Sequence, residues 1–375
     1  MGHAVKNLRL ITTPEKGGIL AHRLIAESKP IAVDCEGVRL GRFGRLSLIQ
    51  IGENNGDVSL VDAGVPGVVE SLTSLLTSAQ VPKIMHDCRE DSASLYHQHN
   101  GIRLENVFDT QIASLLVQRK NKAVRLRQFG YSDLIERVLG EKQDSGVGNK
   151  IKKMMVDDPF LWHKRPLTAD LVKYAIHGVE YLLPLWRALE LDLQTRDISR
   201  DEVSNASDAW VSYYSLNTDI KSPNQAEKIG TPLFGMVASI TDKGVYFKLN
   251  IGRTGVCCTP SALRRMLGAS GGFARLCVGD TVELAVSGAS LDGRIIYVDR
   301  RDPDWEYFDF FRRPSPQKKE SNEYRHVPSL LNAEEDTDPL LRRGLGPGGS
   351  IDSDDEGEVD HDPILTQKPI RYRDS

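Results

Sequence analysis

Three apolar residues, Ile31-Ala32-Val33, run without a break into Asp34-Cys35-Glu36. A short apolar run of this kind reads as a buried strand. On a strand, residues i and i+2 share a face, so Asp34 and Glu36 project together from inside a hydrophobic unit. Two like charges held close disfavour each other, and a divalent cation is the usual relief. Taken alone, the pattern also fits a solvated strand end. Further strand patterns follow at Leu46-Ser47-Leu48-Ile49-Gln50-Ile51-Gly52 and Val58-Ser59-Leu60-Val61-Asp62. Beyond them, helical runs alternate with short apolar stretches such as Lys83-Ile84-Met85-His86. Strands in a row followed by strand–helix alternation predict an α/β fold, a mixed sheet flanked by helices.

The pattern changes after this unit. Ser199-Arg200-Asp201-Glu202 is a capping box that opens a helix. Ser222-Pro223-Asn224-Gln225 breaks the chain. Short strand patterns with glycine and aspartate turns then follow, including Phe234-Gly235-Met236-Val237, Val245-Tyr246-Phe247-Lys248-Leu249, Thr281-Val282-Glu283-Leu284 and Ile295-Ile296-Tyr297-Val298. Their spacing predicts a small all-β barrel. The expected organisation is a first domain over 1–197, a helix and linker over 198–228, a barrel over 229–303 and a disordered acidic tail over 312–375.

The chain has 375 residues and a net charge of −4, with 40% hydrophobic and 27% charged residues. From Arg312 onward, 10 Lys or Arg face 14 Asp or Glu, so the preceding 311 residues are neutral. A neutral body carries no bulk electrostatic signal for nucleic acid, and any such claim rests on local features. No run of eighteen apolar residues occurs, which excludes a spanning helix and a membrane partner. The start lacks the apolar core of a secretory signal, and Lys6 stands where myristoylation wants Ser or Thr. Five scattered cysteines form no CxxC pair, against both a disulfide framework and a zinc site. The expected location is intracellular, cytoplasmic or nuclear.

Two further groups carry chemistry. His86-Asp87-Cys88-Arg89-Glu90-Asp91 follows a strand pattern and opens a helix. Asp91 falls in the first turn, where the helix dipole favours a carboxylate. Tyr174-Ala175-Ile176-His177-Gly178-Val179-Glu180 is strongly helical. In this order and context the three groups resemble the motifs of the DEDD 3′–5′ exonucleases, in the tyrosine-type branch that includes ribonuclease D and Werner-type enzymes. Asn106-Val107-Phe108-Asp109-Thr110-Gln111 and Arg165-Pro166-Leu167-Thr168 also match, and the resemblance covers residues 8–195. Glu36-Gly37-Val38 and His86-Asp87-Cys88-Arg89 are most similar to an Egalitarian-like eukaryotic subgroup.

The resemblance implies an RNase H-like fold and hydrolysis of RNA or single-stranded DNA with two Mg²⁺ or Mn²⁺ ions, about 3.5–4 Å apart in such sites. It implies catalytic roles for Asp34, Glu36, Asp91 and Tyr174. Asp34 bridges both ions, Glu36 holds the water-activating ion, Asp91 supports the other, and Tyr174 orients water. The family's fourth carboxylate falls four residues after the tyrosine, on the same helix face. Here that position is Gly178. Glu180 is about 200° round the helix and His177 about 100° off, so neither points where the missing group did. Asp170 shares the Tyr174 face but lies a turn on the wrong side. One ion is therefore expected to be weakly held, and activity low. The alternative is a catalytically inactive RNA-binding adaptor on a nuclease fold.

The barrel segment resembles an OB-fold RNA-binding repeat. Alternation puts Val245, Phe247 and Leu249 on one face and Tyr246 and Lys248 on the other. An outward aromatic beside a cation suits base stacking and phosphate contact. Tyr246, Lys248, Arg253, Arg264 and Arg265 are the candidate nucleic-acid contacts, with Arg275 extending the basic surface. Lys243 and Cys257-Cys258 replace an aromatic and a histidine of the family pattern, so a protein-binding barrel is the competing reading, and the acidic tail is a second possible protein contact. His97 and His99 are expected to be solvated, and Trp162 and Trp210 packed.

Overall fold

The computed structural model describes residues 5–120, 126–142, 145–241, 243–267 and 276–301. The expected acidic tail over 312–375, Arg275, and the side chains of Arg264 and Arg265 lie outside the described residues. Strands β1 (Leu8–Ile11), β2 (Ile31–Val38), β3 (Arg45–Gly52), β4 (Val58–Asp62), β5 (Lys83–Met85) and β6 (Val107–Asp109) make one sheet. Their order is β1-β4-β3-β2-β5-β6. β2 and β3 pair antiparallel, as do β3 and β4, while β5 and β6 extend the sheet in parallel from β2. This is the mixed sheet that the sequence predicts.

The helices are α1 (Pro14–Glu27), α2 (Thr73–Leu76), α3 (Arg89–Gln98), α4 (Thr110–Lys120), α5 (Tyr131–Leu139), α6 (Ser145–Asp157), α7 (Ala169–Glu180), α8 (Leu182–Thr195) and α9 (Arg200–Val211). Their starts are written in the sequence. Thr168 accepts a hydrogen bond from the Leu171 N–H and opens α7, and Ser199 with Glu202 forms the expected capping box at α9. Such caps satisfy otherwise orphaned N–H groups, each contributing roughly 1 kcal/mol.

The second unit is a closed five-stranded barrel. It contains β7 (Pro232–Ile240), β8 (Val245–Lys248), β9 (Thr254–Cys257), a helix α10 (Pro260–Leu267), β10 (Thr281–Ala289) and β11 (Ile295–Arg300). Strand β7 pairs with both β8 and β10, and β9 pairs in parallel with β11. The helix lies between the third and fourth strands, and the small closed all-β barrel is as expected. Val245, Phe247 and Leu249 are buried inside it, with Tyr246 and Lys248 on the outer face.

The barrel is docked on the first unit. Asn217 bonds the Phe234 amide and carbonyl and the Leu249 carbonyl. Asn250 donates to the carbonyls of Tyr214 and Leu216. One hydrophobic cluster runs through both units. Among the described residues no helix is long and apolar enough to cross a membrane.

Candidate active site

Asp34 and Glu36 lie on the central strand β2, each partly buried, with buried neighbours on either side. Strand β5 pairs only with the beginning of β2, at Ile31 and Ala32. The edge of β2 beyond it is therefore free of a ladder partner, and Asp91 approaches it. The Cys35 thiol donates to the Asp91 carboxylate. Asp91 Oδ1 is buried and has no hydrogen-bond partner among the described residues.

Helix α3 is held so that Asp91 faces the strand. The Asp109 carboxylate, at the end of β6, accepts from the Asp87 N–H at 3.1 Å and the Cys88 N–H at 2.8 Å. These bonds hold the turn that leads into the helix, whose N-cap residue Cys88 makes no side-chain capping bond. His86 bonds Thr110 Oγ1 and the Phe129 carbonyl, so it braces the loop.

Helix α7 covers the same face of the sheet. One helical turn of four residues rises about 6 Å and two strand residues about 6.6 Å, so i,i+4 on a helix can match i,i+2 on a strand. The match is met here. Glu36 and Asp34 both act on the Tyr174 hydroxyl, and a Cβ on Gly178 would stand 2.3 Å from Asp34 Oδ2. Position 178 thus faces Asp34 directly, and glycine leaves that place without a side chain.

Burial pushes the Asp34 carboxyl up to about 7. Burial first, then Asp34 and Asp91, push Glu36 well above the carboxylate range. Asp91 is raised in the same way, by burial and then by Asp34. Tyr174 is raised by burial and by Glu36 and Asp34, so it is a neutral hydroxyl at neutral pH. Three desolvated carboxylates, two of them raised further by Asp34 and one with an orphaned oxygen, fit a hard divalent cation such as Mg²⁺ or Mn²⁺. Among the described residues no set of three or more His, Cys, Asp or Glu side chains is already gathered as a cation site.

The neighbours of Gly178 are otherwise engaged. His177 Nδ1 lies 3.0 Å from Glu180 Oε1, and Asp170 holds Lys150 Nζ at 2.8 Å. His97 and His99 differ from expectation: His97 Nε2 meets the Tyr214 carbonyl and His99 Nδ1 meets Glu70, because their helix end is covered by neighbouring chain. Trp162 and Trp210 are packed, as the sequence predicts.

The barrel's candidate residues have intramolecular partners that the sequence does not reveal. Lys248 Nζ lies 3.3 Å from Asp87 Oδ2 and 3.5 Å from Glu90 Oε1. Arg253 lies 3.6 Å from Glu227 Oε1. Arg89, fully buried beside them, donates to Asp87 and Gln128, contacts Met236 Sδ and stacks 3.7 Å above the Trp210 ring. Burial would raise Asp87, but Arg89 and Lys248 hold it well below the usual carboxylate range. Tyr246 remains on the outer face, half-buried.

Residues 10–194 match the family described as 3′–5′ exonuclease. The chain is 28% identical over 188 residues to ribonuclease D of Nitrobacter hamburgensis, covering 50% of this chain and 44% of that protein. It is 30% identical over 195 residues to the piRNA biogenesis protein EXD1 of Homo sapiens, covering 49% and 36%. The chain thus spans less than half the length of these relatives. Among solved structures, Trypanosoma brucei RNase D superposes with a TM-score of 0.51 at 24% identity, over 57% of this chain and 75% of that one. The same enzyme in complex with RNA U12 gives 0.50 at 26% identity, over 58% and 73%.

Proposed function

Residues 10–194 are a 3′–5′ exonuclease-family domain, and from that premise we propose that the chain binds RNA or single-stranded DNA and removes nucleotides from the 3′ end with low activity. The single observation that carries the low activity is position 178. It faces Asp34 so closely that a Cβ there would stand inside contact distance of the carboxylate, lies four residues after Tyr174, and contributes no carboxylate. The RNA complex of the T. brucei enzyme supports RNA as the substrate class.

Asp34, Glu36 and Asp91 are the residues that would hold Mg²⁺ or Mn²⁺. When bound, the cation supplies charge stabilisation at the phosphate and activation of water. The chain's own residues do the rest. Tyr174, kept protonated, accepts and donates hydrogen bonds and orients the attacking water. Burial of the carboxylates excludes bulk water and strengthens their charge interactions. With one carboxylate fewer, the set attracts the second ion weakly. The roles of the four residues and the division into a nuclease domain, linker and barrel belong to this proposal.

Gly178 also favours a second reading, an inactive nuclease-fold adaptor that keeps the groove for binding. A 5′-labelled single-stranded RNA or DNA, incubated with Mn²⁺ or Mg²⁺, separates the two. The unaltered chain is compared with Asp34→Ala and Gly178→Asp. A ladder that Asp34→Ala abolishes establishes a three-carboxylate enzyme. No ladder, with retained binding and activity only in Gly178→Asp, establishes the adaptor. No cleavage and no binding in any of them refutes both.

A further inference from the structure

Outside the carboxylate site, one surface combines free cations with an aromatic ring. The Arg127 guanidinium carbon lies 5.4 Å from the Phe129 ring centroid, and that of Arg137 lies 4.3 Å from it. Both arginines are exposed. No carboxylate pairs with either among the described residues, whereas Lys248 and Arg253 of the barrel already hold Asp87, Glu90 and Glu227.

The segment is built rather than loose. Gln118 of α4 bonds both the N–H and the carbonyl of Arg127. Gln111, seven residues earlier on the same helix face, does the same for Phe129 at 3.0 and 2.5 Å. Two glutamines two turns apart thus grip alternate residues of the segment. His86 adds a third contact to the Phe129 carbonyl, at 3.2 Å.

The platform is continuous with the site. Two residues beyond Phe129, the Tyr131 ring lies 5.4 Å from His86 and 5.7 Å from His177. His177 immediately precedes Gly178, where a Cβ would stand 2.3 Å from Asp34 Oδ2, so Tyr131 reaches the helix turn that faces the first carboxylate. Moving outward, the wall runs from Asp34 through Tyr131 to Phe129 and the two arginines.

We propose that Arg127, Phe129 and Arg137 form the platform that receives single-stranded nucleic acid on its way to the carboxylate site. The proposal rests on the nuclease-fold reading above and adds where the strand lies. The guanidinium groups take phosphate charge, and their planes with the ring offer a stacking surface that tolerates any base. A strand entering here reaches the carboxylates along this wall, without crossing the barrel.

Fluorescence anisotropy with a labelled U12 RNA, and with a DNA of equal length, tests it in EDTA to prevent cleavage. The full chain is compared with the Arg127→Gln/Arg137→Gln double variant and with Phe129→Leu, which preserves packing. Thermal unfolding confirms that each variant is folded. Losing two phosphate contacts should flatten the slope of log affinity against log salt by about 1.4. Losing the aromatic face should weaken binding by roughly five- to a hundredfold. Unchanged affinity and slope in both variants, with tight binding by the unaltered chain, overturns the platform and leaves the nuclease-fold reading standing. No binding of either strand by the unaltered chain overturns both.

Discussion

Placing a carboxylate at position 178 is the sharpest perturbation available. A Cβ there would stand 2.3 Å from Asp34 Oδ2, about 1 Å inside contact, so the Asp34 side chain must rotate. An off-rotamer turn of that size costs roughly 0.5–1.5 kcal/mol. Leaving glycine for aspartate in a helix returns a few tenths of a kcal/mol. The charge effect is larger. Two carboxylates about 4 Å apart repel by roughly 4 kcal/mol at an effective dielectric of about 20. Protonation limits that cost, because Asp34 already titrates near 7. Its folded value lies above its unfolded one, so the folded chain binds more protons and loses stability as pH rises from about 4 to 7. A second acid extends that loss above pH 7. Gly178→Asp should therefore be less stable than the unaltered chain by about 2–4 kcal/mol at pH 8 without divalent ions, and by clearly less at pH 6. At roughly 2 °C per kcal/mol, the midpoint falls by about 4–8 °C. Gly178→Asn has the same shape without the charge and should lose only the steric part. Mn²⁺ at a hundredfold excess over its dissociation constant stabilises a binding chain by about 2.7 kcal/mol, and should raise the Gly178→Asp midpoint more than the Gly178→Asn one. Equal midpoints for the two variants at both pH values, with no difference in their response to Mn²⁺, would refute the placement of position 178 against the carboxylate site.

Two further outcomes follow from buried charge. Arg89 is fully buried among Asp87, Gln128, Met236 and Trp210, so Arg89→Met should cost about 3–5 kcal/mol in urea unfolding by removing the buried partner of Asp87 and leaving it only the partly exposed Lys248. Lys248 and its partners are about a quarter exposed, so Lys248→Met should cost only about 1 kcal/mol; equal costs would argue against Arg89 as the centre of the junction. Lys83 is buried, donates to the Ser78 carbonyl at 2.6 Å and is pushed down to about 7 by burial. Between pH 7 and about 10 the unfolded chain holds the proton that the folded chain has released, so stability rises with pH. The stability difference between the unaltered chain and Lys83→Met, followed by denaturant titration from pH 6 to 9.5, should shift in favour of lysine as pH rises, and a flat difference would refute the burial cost.

The carboxylate site was legible because its signals are local. Asp34 and Glu36 follow an apolar run on one strand, and Tyr174 and Gly178 share a helix face four residues apart. Those two periods meet across the sheet, and the structure adds only the direction in which α7 runs. The barrel was legible for the same reason, since Val245, Phe247 and Leu249 alternate with outward residues. Strands β1, β6 and β9 have three or four residues each, too short for a period to emerge. Arg127 and Phe129 belong to no motif that sets them apart in the sequence; what holds them in place is the grip of Gln111 and Gln118.

Alternation tells which face a residue takes, and nothing about what stands opposite. Tyr246 and Lys248 turn outward from the barrel, as expected, but the outside there is α3. Lys248 meets Asp87 across 161 positions of sequence, and the Tyr213 hydroxyl bridges the Asn250 N–H and Glu90 in the same place. The barrel therefore bears on the first turn of the helix that carries Asp91. Asp87 lies just before that turn and Glu90 within it next to Asp91, and uncompensated they would add negative charge beside a group whose own carboxyl is already raised. Arg89 and Lys248 offset that charge by pairing with Asp87 and Glu90, while Asp91 Oδ1 keeps no hydrogen-bond partner among the described residues. The second unit thus offsets acidic charge beside the helix turn that carries Asp91, through a lysine that belongs to the barrel.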